Sequence, residues 1–268
     1  MKIKRCPRCN HNKYWKVRRG KLKCSKCRYE WTPNKLPLRL TLFQWKRIVR
    51  YFLLGLSSNK IVDEVGLNKK RVLRVLNITR EVMLRDIPDI FDGTVEVDET
   101  YIGGQWKNKR KSQRIEEAKR GRGTFKTPVL GILLRGGKVW AEVVSDVEAR
   151  TLIPLISRRV KRGSTIFSDT WRSYTGIATR GYVHRLIEHG KEEFSDKKGG
   201  HINGLEGFWG YLKRNLMAKG GIRKARLSLY LGEYVWRFNH RNYSTNKQLE
   251  ILLSLLYDYK KRYKILGG

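Results

Sequence analysis

Four cysteines, all before residue 28, constrain the start of this chain more than any other feature. They form two knuckles, Cys6-Pro7-Arg8-Cys9 and Cys24-Ser25-Lys26-Cys27. Two thiolates on one tight turn bind a single ion together, and a second such turn completes the tetrahedron that structural zinc prefers. Fourteen residues (24 − 9 − 1) separate the knuckles, slightly fewer than the usual ~15 to 20, and a short hairpin spans that gap. Tyr14 to Val17 and Lys21 to Lys23 read as its strands, turning at Arg19-Gly20, with Tyr29 and Trp31 placed to pack near the sulfurs. The rival reading is four buried or redox-active thiols without a metal. A segment this small has little core, so bound zinc would supply its folding free energy, on the order of 10 kcal/mol. Residues 1–35 are therefore expected to form a zinc ribbon ligated by Cys6, Cys9, Cys24 and Cys27.

Charge names the partner. Lys and Arg total 59 against 24 acids in 268 residues, a formal charge of +35, and a folded chain tolerates that self-repulsion best against a polyanion. DNA or RNA is expected, and a membrane surface is not, because no basic amphipathic helix with apolar anchors and no lipidation signal is found. Met1 to Cys6 carries no apolar run of the secretory kind, and no stretch approaches the ~18 apolar residues of a spanning helix. The expectation is a cytoplasmic protein, where disulfides are the less favoured use of cysteine. Thirteen basic residues and one acid, Glu30, lie between Met1 and Lys35, so the ribbon is expected to touch phosphate.

Pro33 and Pro37 bracket a linker, after which Leu42, Trp45, Ile48, Val49, Phe52 and Leu53 recur at helical spacing. Gly55 ends that helix, Ser57 or Ser58 caps a second through Ile61 and Val65 to Gly66, and Asn68 caps a third. Short helices joined by a glycine-containing turn suit a helix-turn-helix over residues 36–90. Its third helix carries Lys69, Lys70, Arg71 and Arg74 near the end that would meet DNA. An ordinary three-helix module with a solvated basic face is the alternative.

From Gly93 the period changes. Val95, Val97 and Ile102, then Pro128 to Leu134, Lys138 to Val144 and Ser164 to Phe167 read as strands, with a helix over Thr151 to Val160. The fold class is thus α/β, a mixed sheet flanked by helices. Nine basic residues and two acids between Lys107 and Lys126 interrupt it as a basic loop, with Lys109, Arg110 and Lys111 as candidate DNA contacts. Helical segments follow over His201 to Met217, Arg226 to Phe238 and Lys247 to Tyr263. Asp98 and Asp169 fall where apolar strands end, and Glu206 lies on a helix. Hard cations such as Mg²⁺ prefer oxygen ligands, and a pair of them about 3.5 to 4 Å apart can hold both oxygens of a phosphodiester displacement. Lys213, nearly two turns after Glu206, shares its helical face, and so does Asn203, one turn before it. Glu96 and Glu99 compete with Asp98: alternation puts Glu96 on the same strand face and Glu99 on the opposite one.

Three stretches go further: Val95 to Gly104 (VEVDETYIGG), Ser168 to Tyr174 (SDTWRSY) and His201 to Arg214 (HINGLEGFWGYLKR). With Tyr230 to Asn239 (YLGEYVWRFN), they make the chain resemble, over nearly its whole length, prokaryotic insertion-sequence transposases with an N-terminal zinc ribbon and an ISXO2-like DDE catalytic domain of RNase H-like fold. The resemblance implies that residues 91–268, with their C-terminal helices, form the catalytic domain. It also implies an enzyme, associated with the nucleoid, that binds the terminal repeats of its element, cleaves DNA and joins the 3′-OH to target DNA using two Mg²⁺ or Mn²⁺ ions. The family's first two aspartates fall on Asp98 and Asp169. Its third ligand varies in type and is followed seven positions on by lysine, which selects Glu206 with Lys213, Asn203 being the second choice. Gly207 stands where relatives often have serine. A homo-oligomer on DNA is implied, since two element ends must meet. A non-catalytic regulator that keeps the ribbon and helix-turn-helix, or a general RNase H-like nuclease, are the functional rivals.

Overall fold

The hairpin between the cysteine knuckles forms as expected: β1 (Tyr14–Val17) pairs antiparallel with β2 (Lys21–Cys24). A two-residue strand not foreseen in the sequence, β3 (Glu30–Trp31), pairs on the other side of β2. The computed structural model describes residues 5–6, 8–18, 21–31, 36–88, 90–103, 126–169, 174, 176–187 and 203–263. Their contacts divide the chain into Met1–Val82 with Tyr243–Gly268, and Met83–Asn242. Among the described residues no helix is long and apolar enough to cross a membrane.

The first unit holds the ribbon and the helices α1 (Leu42–Leu53), α2 (Ser58–Val65) and most of α3 (Lys69–Arg85). Local chemistry sets each boundary. Thr41 and Gln44 form a reciprocal capping box at the start of α1, Ser57 rather than Ser58 caps α2, and the Asn68 side chain accepts the Arg71 N–H at 2.9 Å at the start of α3. Gly66 ends α2 in the left-handed conformation, which a glycine adopts without steric cost. The last helix, α7 (Thr245–Tyr263), shares its contacts with the first unit and packs against α1. Arg50 Nη1 donates to Asn246 Oδ1 at 2.8 Å, and Leu249, Leu252, Leu253 and Leu256 are buried.

That sheet contains β4 (Thr94–Ile102), β5 (Thr127–Leu134), β6 (Val139–Val143), β7 (Thr165–Asp169) and β8 (Val183–Ile187), in the order β6-β5-β4-β7-β8. β4, β5 and β6 run antiparallel, while β7 and β8 run parallel to β4. This is the mixed sheet expected of an RNase H-like domain. Strand alternation feeds two cores. Val95, Val97, Leu130, Ile132 and Ile166 pack on one face with Leu152, Ile153 and Ile156 of α4 (Ala149–Arg159). Val129, Leu133, Val139 and Ala141 pack on the other with α5 (Asn203–Met217) and α6 (Leu227–Asn239). The β6 edge is closed by Asn239 on α6, whose side chain accepts the Val139 N–H at 2.7 Å and donates to the Val139 carbonyl at 2.8 Å.

Candidate active site

Register brings the two aspartates together. β4 pairs with β7 with Glu96 opposite Phe167, so two residues further along both strands Asp98 stands beside Asp169. Alternation turns both toward the face covered by α5, the same face as Glu96 and Phe167, where Arg135 pairs with Glu96 and lies 3.9 Å over the Phe167 ring. Asp98 is pushed up to about 6, first by burial and then by the neighbouring Glu99 charge. The Trp209 and Glu99 N–H groups oppose that rise, and Asp169 adds to it.

The three acids lie in the middle of β4, which runs on to Ile102 rather than ending at Asp98 as the sequence pattern suggests, and they have separate surroundings. Glu96 is almost fully buried, accepts from Arg135 Nε at 3.3 Å and caps α5 by accepting the Leu205 N–H at 2.9 Å. A guanidinium and a helix N-terminus satisfy that buried charge. Gly204 permits the approach, since a Cβ there would lie 3.1 Å from Glu96 Oε2. Glu99 points to the opposite face, where the buried Tyr174 hydroxyl donates to its Oε2. Burial, and then the Glu99 charge, hold that phenol well above its ordinary range. Asp98 accepts the Trp209 Nε1–H at 2.9 Å. Glu96→Ala should strand a partly buried guanidinium and a helix-end amide. The expected cost of about 3 to 5 kcal/mol corresponds to a thermal midpoint lower by roughly 10 °C, measurable by differential scanning calorimetry.

Glu206 sits exposed in the first turn of α5, three residues before Trp209 and seven before the exposed Lys213. Burial lowers the Lys213 pKa, while Asp98 raises it and Lys126 lowers it further, so both lie within its electrostatic reach. Among the described residues, Asp98, Asp169 and Glu206 do not form a three-ligand group close enough to share an ion. The Asn203 side chain lies outside the described residues, as do Lys109, Arg110 and Lys111. Lys69, Lys70, Arg71 and Arg74 are all exposed at the start of α3. Trp209, Gly131 and Lys126 are the neighbours of Asp98 and Lys213 that sequence reasoning missed. A glycine inside the apolar strand Thr127–Leu134 was the available signal.

The four cysteines do form one group, their sulfurs all within 4.8 Å of one another. Cys6 and Cys27 sulfurs are 3.5 Å apart, and those of Cys9 and Cys24 are 3.6 Å apart. A tetrahedral Zn–S₄ site with bonds of ~2.3 Å spaces its sulfurs by about 3.8 Å. Each knuckle closes alike: the Asn10 and Arg28 amides donate to the Cys6 and Cys24 carbonyls, and Asn10 and Arg28 adopt positive φ. Burial pushes Cys24 up, but the Cys27 and Lys26 amides pull it further down, to about 7. The His11 amide favours the Cys9 thiolate, yet burial and the other sulfurs raise Cys9 overall. Four sulfurs gathered at this spacing offer a tetrahedral thiolate set, and the set fits zinc.

A family model, the ISXO2-like transposase domain, matches residues 90–239, more than half of the chain. The chain belongs to that family. The ISXO2-like match takes in Asp98, Asp169, Glu206, Trp209 and Lys213 and stops before α7. An uncharacterized transposase-like protein of Haemophilus influenzae is 38% identical over 119 residues, 44% of this chain and 94% of that protein. Among solved structures, the chain is similar to a chain in the structure of the simian T-cell lymphotropic virus intasome in complex with PP2A regulatory subunit B56 gamma. The TM-score is 0.35 and the identity 13%, over 74% of this chain and 70% of that one. It is also similar to the Mos1 transposase paired-end complex with left transposon end, with a TM-score of 0.25 and 14% identity over 87% and 83% of the two chains.

Proposed function

We propose that this chain is a metal-dependent DNA transposase that binds the terminal repeats of an insertion sequence, cleaves DNA there and joins the 3′-OH ends to target DNA. One observation carries the reading: within the stretch matched by the ISXO2-like family model, the register of adjacent parallel strands brings Asp98 within electrostatic reach of Asp169, on the sheet face packed by the helix that bears Glu206 and Lys213. The raised Asp98 pKa supports it, because carboxylates crowded in a partly buried place are suited to a cationic ligand.

Asp98, Asp169 and Glu206 would hold the ions, with Asn203 the alternative third ligand. When bound, two Mg²⁺ or Mn²⁺ ions would activate the attacking oxygen and stabilise the leaving 3′ oxygen. Lys213 places a cation beside Asp98 and contacts the phosphate under attack. Glu96 anchors the first turn of α5, the turn that carries Glu206. The ribbon, carrying one zinc ion on Cys6, Cys9, Cys24 and Cys27, would recognise terminal-repeat DNA together with Lys69, Lys70, Arg71 and Arg74. Lys109, Arg110 and Lys111 would grip flanking or target DNA, and a homo-oligomer would join the two ends.

The test is incubation of the purified chain with element-end DNA and Mg²⁺ or Mn²⁺. Nicking at the element end that disappears in Asp98→Ala is the expected result. Binding without cleavage would overturn the reading in favour of a regulator, and cleavage indifferent to end sequence would do so in favour of a general nuclease.

A further inference from the structure

A tryptophan reaches Asp98 by a route that a glycine keeps open. The Trp209 Nε1–H donates to Asp98 Oδ2 at 2.9 Å. To get there the six-membered edge of the indole lies on Gly131, the residue paired with Asp98 across β4 and β5. A Cβ at Gly131 would stand 2.5 and 2.6 Å from the Trp209 ring carbons Cζ2 and Cη2, and 3.1 Å from Leu205 Cδ1. Real Cβ atoms do not approach so closely, so only hydrogen fits. Gly131 is not among the residues at positive φ, and its backbone would therefore accept alanine. Space for the indole is what excludes a side chain there. The ring is 4% exposed and packs 5.2 Å from the Phe208 ring, centroid to centroid, which keeps its N–H from swinging to water.

A buried indole N–H needs an acceptor, and any carbonyl would serve a purely structural tryptophan. Here the acceptor is instead a carboxylate beside Asp169, and the donor sits one turn from Glu206 on the same helix. We propose that Trp209 is a positioning residue for Asp98. By holding Oδ2 it sets the plane in which the carboxylate meets a divalent cation, with Gly131 as the slot that admits the ring. The inference rests on the reading of Asp98 as a metal ligand. Hydrogen-bonding partners of metal ligands typically contribute about 10- to 100-fold to metal affinity, and an effect of that size is assigned to Trp209.

The experiment is a Mn²⁺ titration of the full chain, purified with one equivalent of Zn²⁺, with free Mn²⁺ followed by its electron paramagnetic resonance signal. Trp209→Phe removes the donor, and β-(3-benzothienyl)alanine at position 209 removes it while keeping the indole shape. The isosteric protein should keep its thermal midpoint yet bind Mn²⁺ roughly 10- to 100-fold more weakly. Gly131→Ala, which leaves the indole intact but displaces it, should weaken binding likewise. Wild-type Mn²⁺ affinity in the isosteric protein would overturn the assignment even if Trp209→Phe fails to fold. Asp98→Asn separates the two ideas: Mn²⁺ binding unaltered by that change would overturn the metal-ligand reading itself, whatever Trp209 does.

Discussion

Asp98→Asn should abolish cleavage of element-end DNA while raising the thermal midpoint of the protein measured without Mg²⁺ at pH 7.5. The activity loss follows from the proposed role. A ligand that carries several kcal/mol of charge stabilisation in the transition state, at a factor of ten per 1.36 kcal/mol, should cost at least ~10³-fold in rate. The stability gain follows from the position of Asp98. Its folded pKa of about 6 stands above the ordinary 3.8, so the folded state binds this proton more tightly than the unfolded chain. Ionised Asp98 is therefore a liability fully present above pH 6, which fades as the pH falls toward 4. At neutral pH the liability is on the order of 2 to 3 kcal/mol, and asparagine removes it while still offering an oxygen to the Trp209 N–H. The expected rise is about 5 °C at pH 7.5, shrinking toward zero near pH 4. Calorimetry across that range, with no chelator present, checks it. A lower midpoint at pH 7.5 would show that the Asp98 charge is satisfied by its surroundings.

Sequence distance between partners decided which parts of the site were legible beforehand. Spacing alone put Asp169 at the end of its strand and Glu206 with Lys213 on one helical face, because periods of 2 and 3.6 are local properties; it ended β4 too early at Asp98, because the polar residues Glu99 and Thr100 hide the strand's continuation to Ile102. Alternation also separated Glu99 from Asp98, and the Tyr174 contact agrees with it. Choosing between Glu96 and Asp98 was beyond local patterning. The groups that occupy Glu96 are Arg135, 39 residues away, and the Leu205 amide, 109 residues away. Trp209 was hidden for the same reason: its partner lies 111 residues earlier in the chain. The edge strand β8 escaped because Val183–Ile187 contains His184 and Arg185 and buries no residue fully, so it carries neither an apolar run nor a clean alternation. The grouping of α7 with α1 was invisible too, since a leucine stripe announces burial but not against what.

The ribbon makes the opposite case, a segment with little packing of its own to hold it. Among its described residues only Cys6, Leu22 and Cys24 are buried, and two of those are candidate metal ligands. Leu22 contributes about 2 kcal/mol, against an ordering cost of roughly 1 to 2 kcal/mol for every residue fixed. Hydrogen bonds of a hairpin this short do not close that gap. Removing zinc, or replacing Cys24 with serine, should therefore unfold residues 1–35 and leave the sheet of the second unit intact, because the two sheet cores contain no cysteine. The expected record is protease cleavage confined to the ribbon, with the far-ultraviolet circular dichroism of the remainder retained. Affinity for terminal-repeat DNA should fall with it and return when Zn²⁺ is restored to the stripped wild type but not to Cys24→Ser. A ribbon that stays protease-resistant after metal analysis finds it free of zinc would show that the sulfur cluster is held by something other than an ion, and the reading of the four cysteines would have to be abandoned.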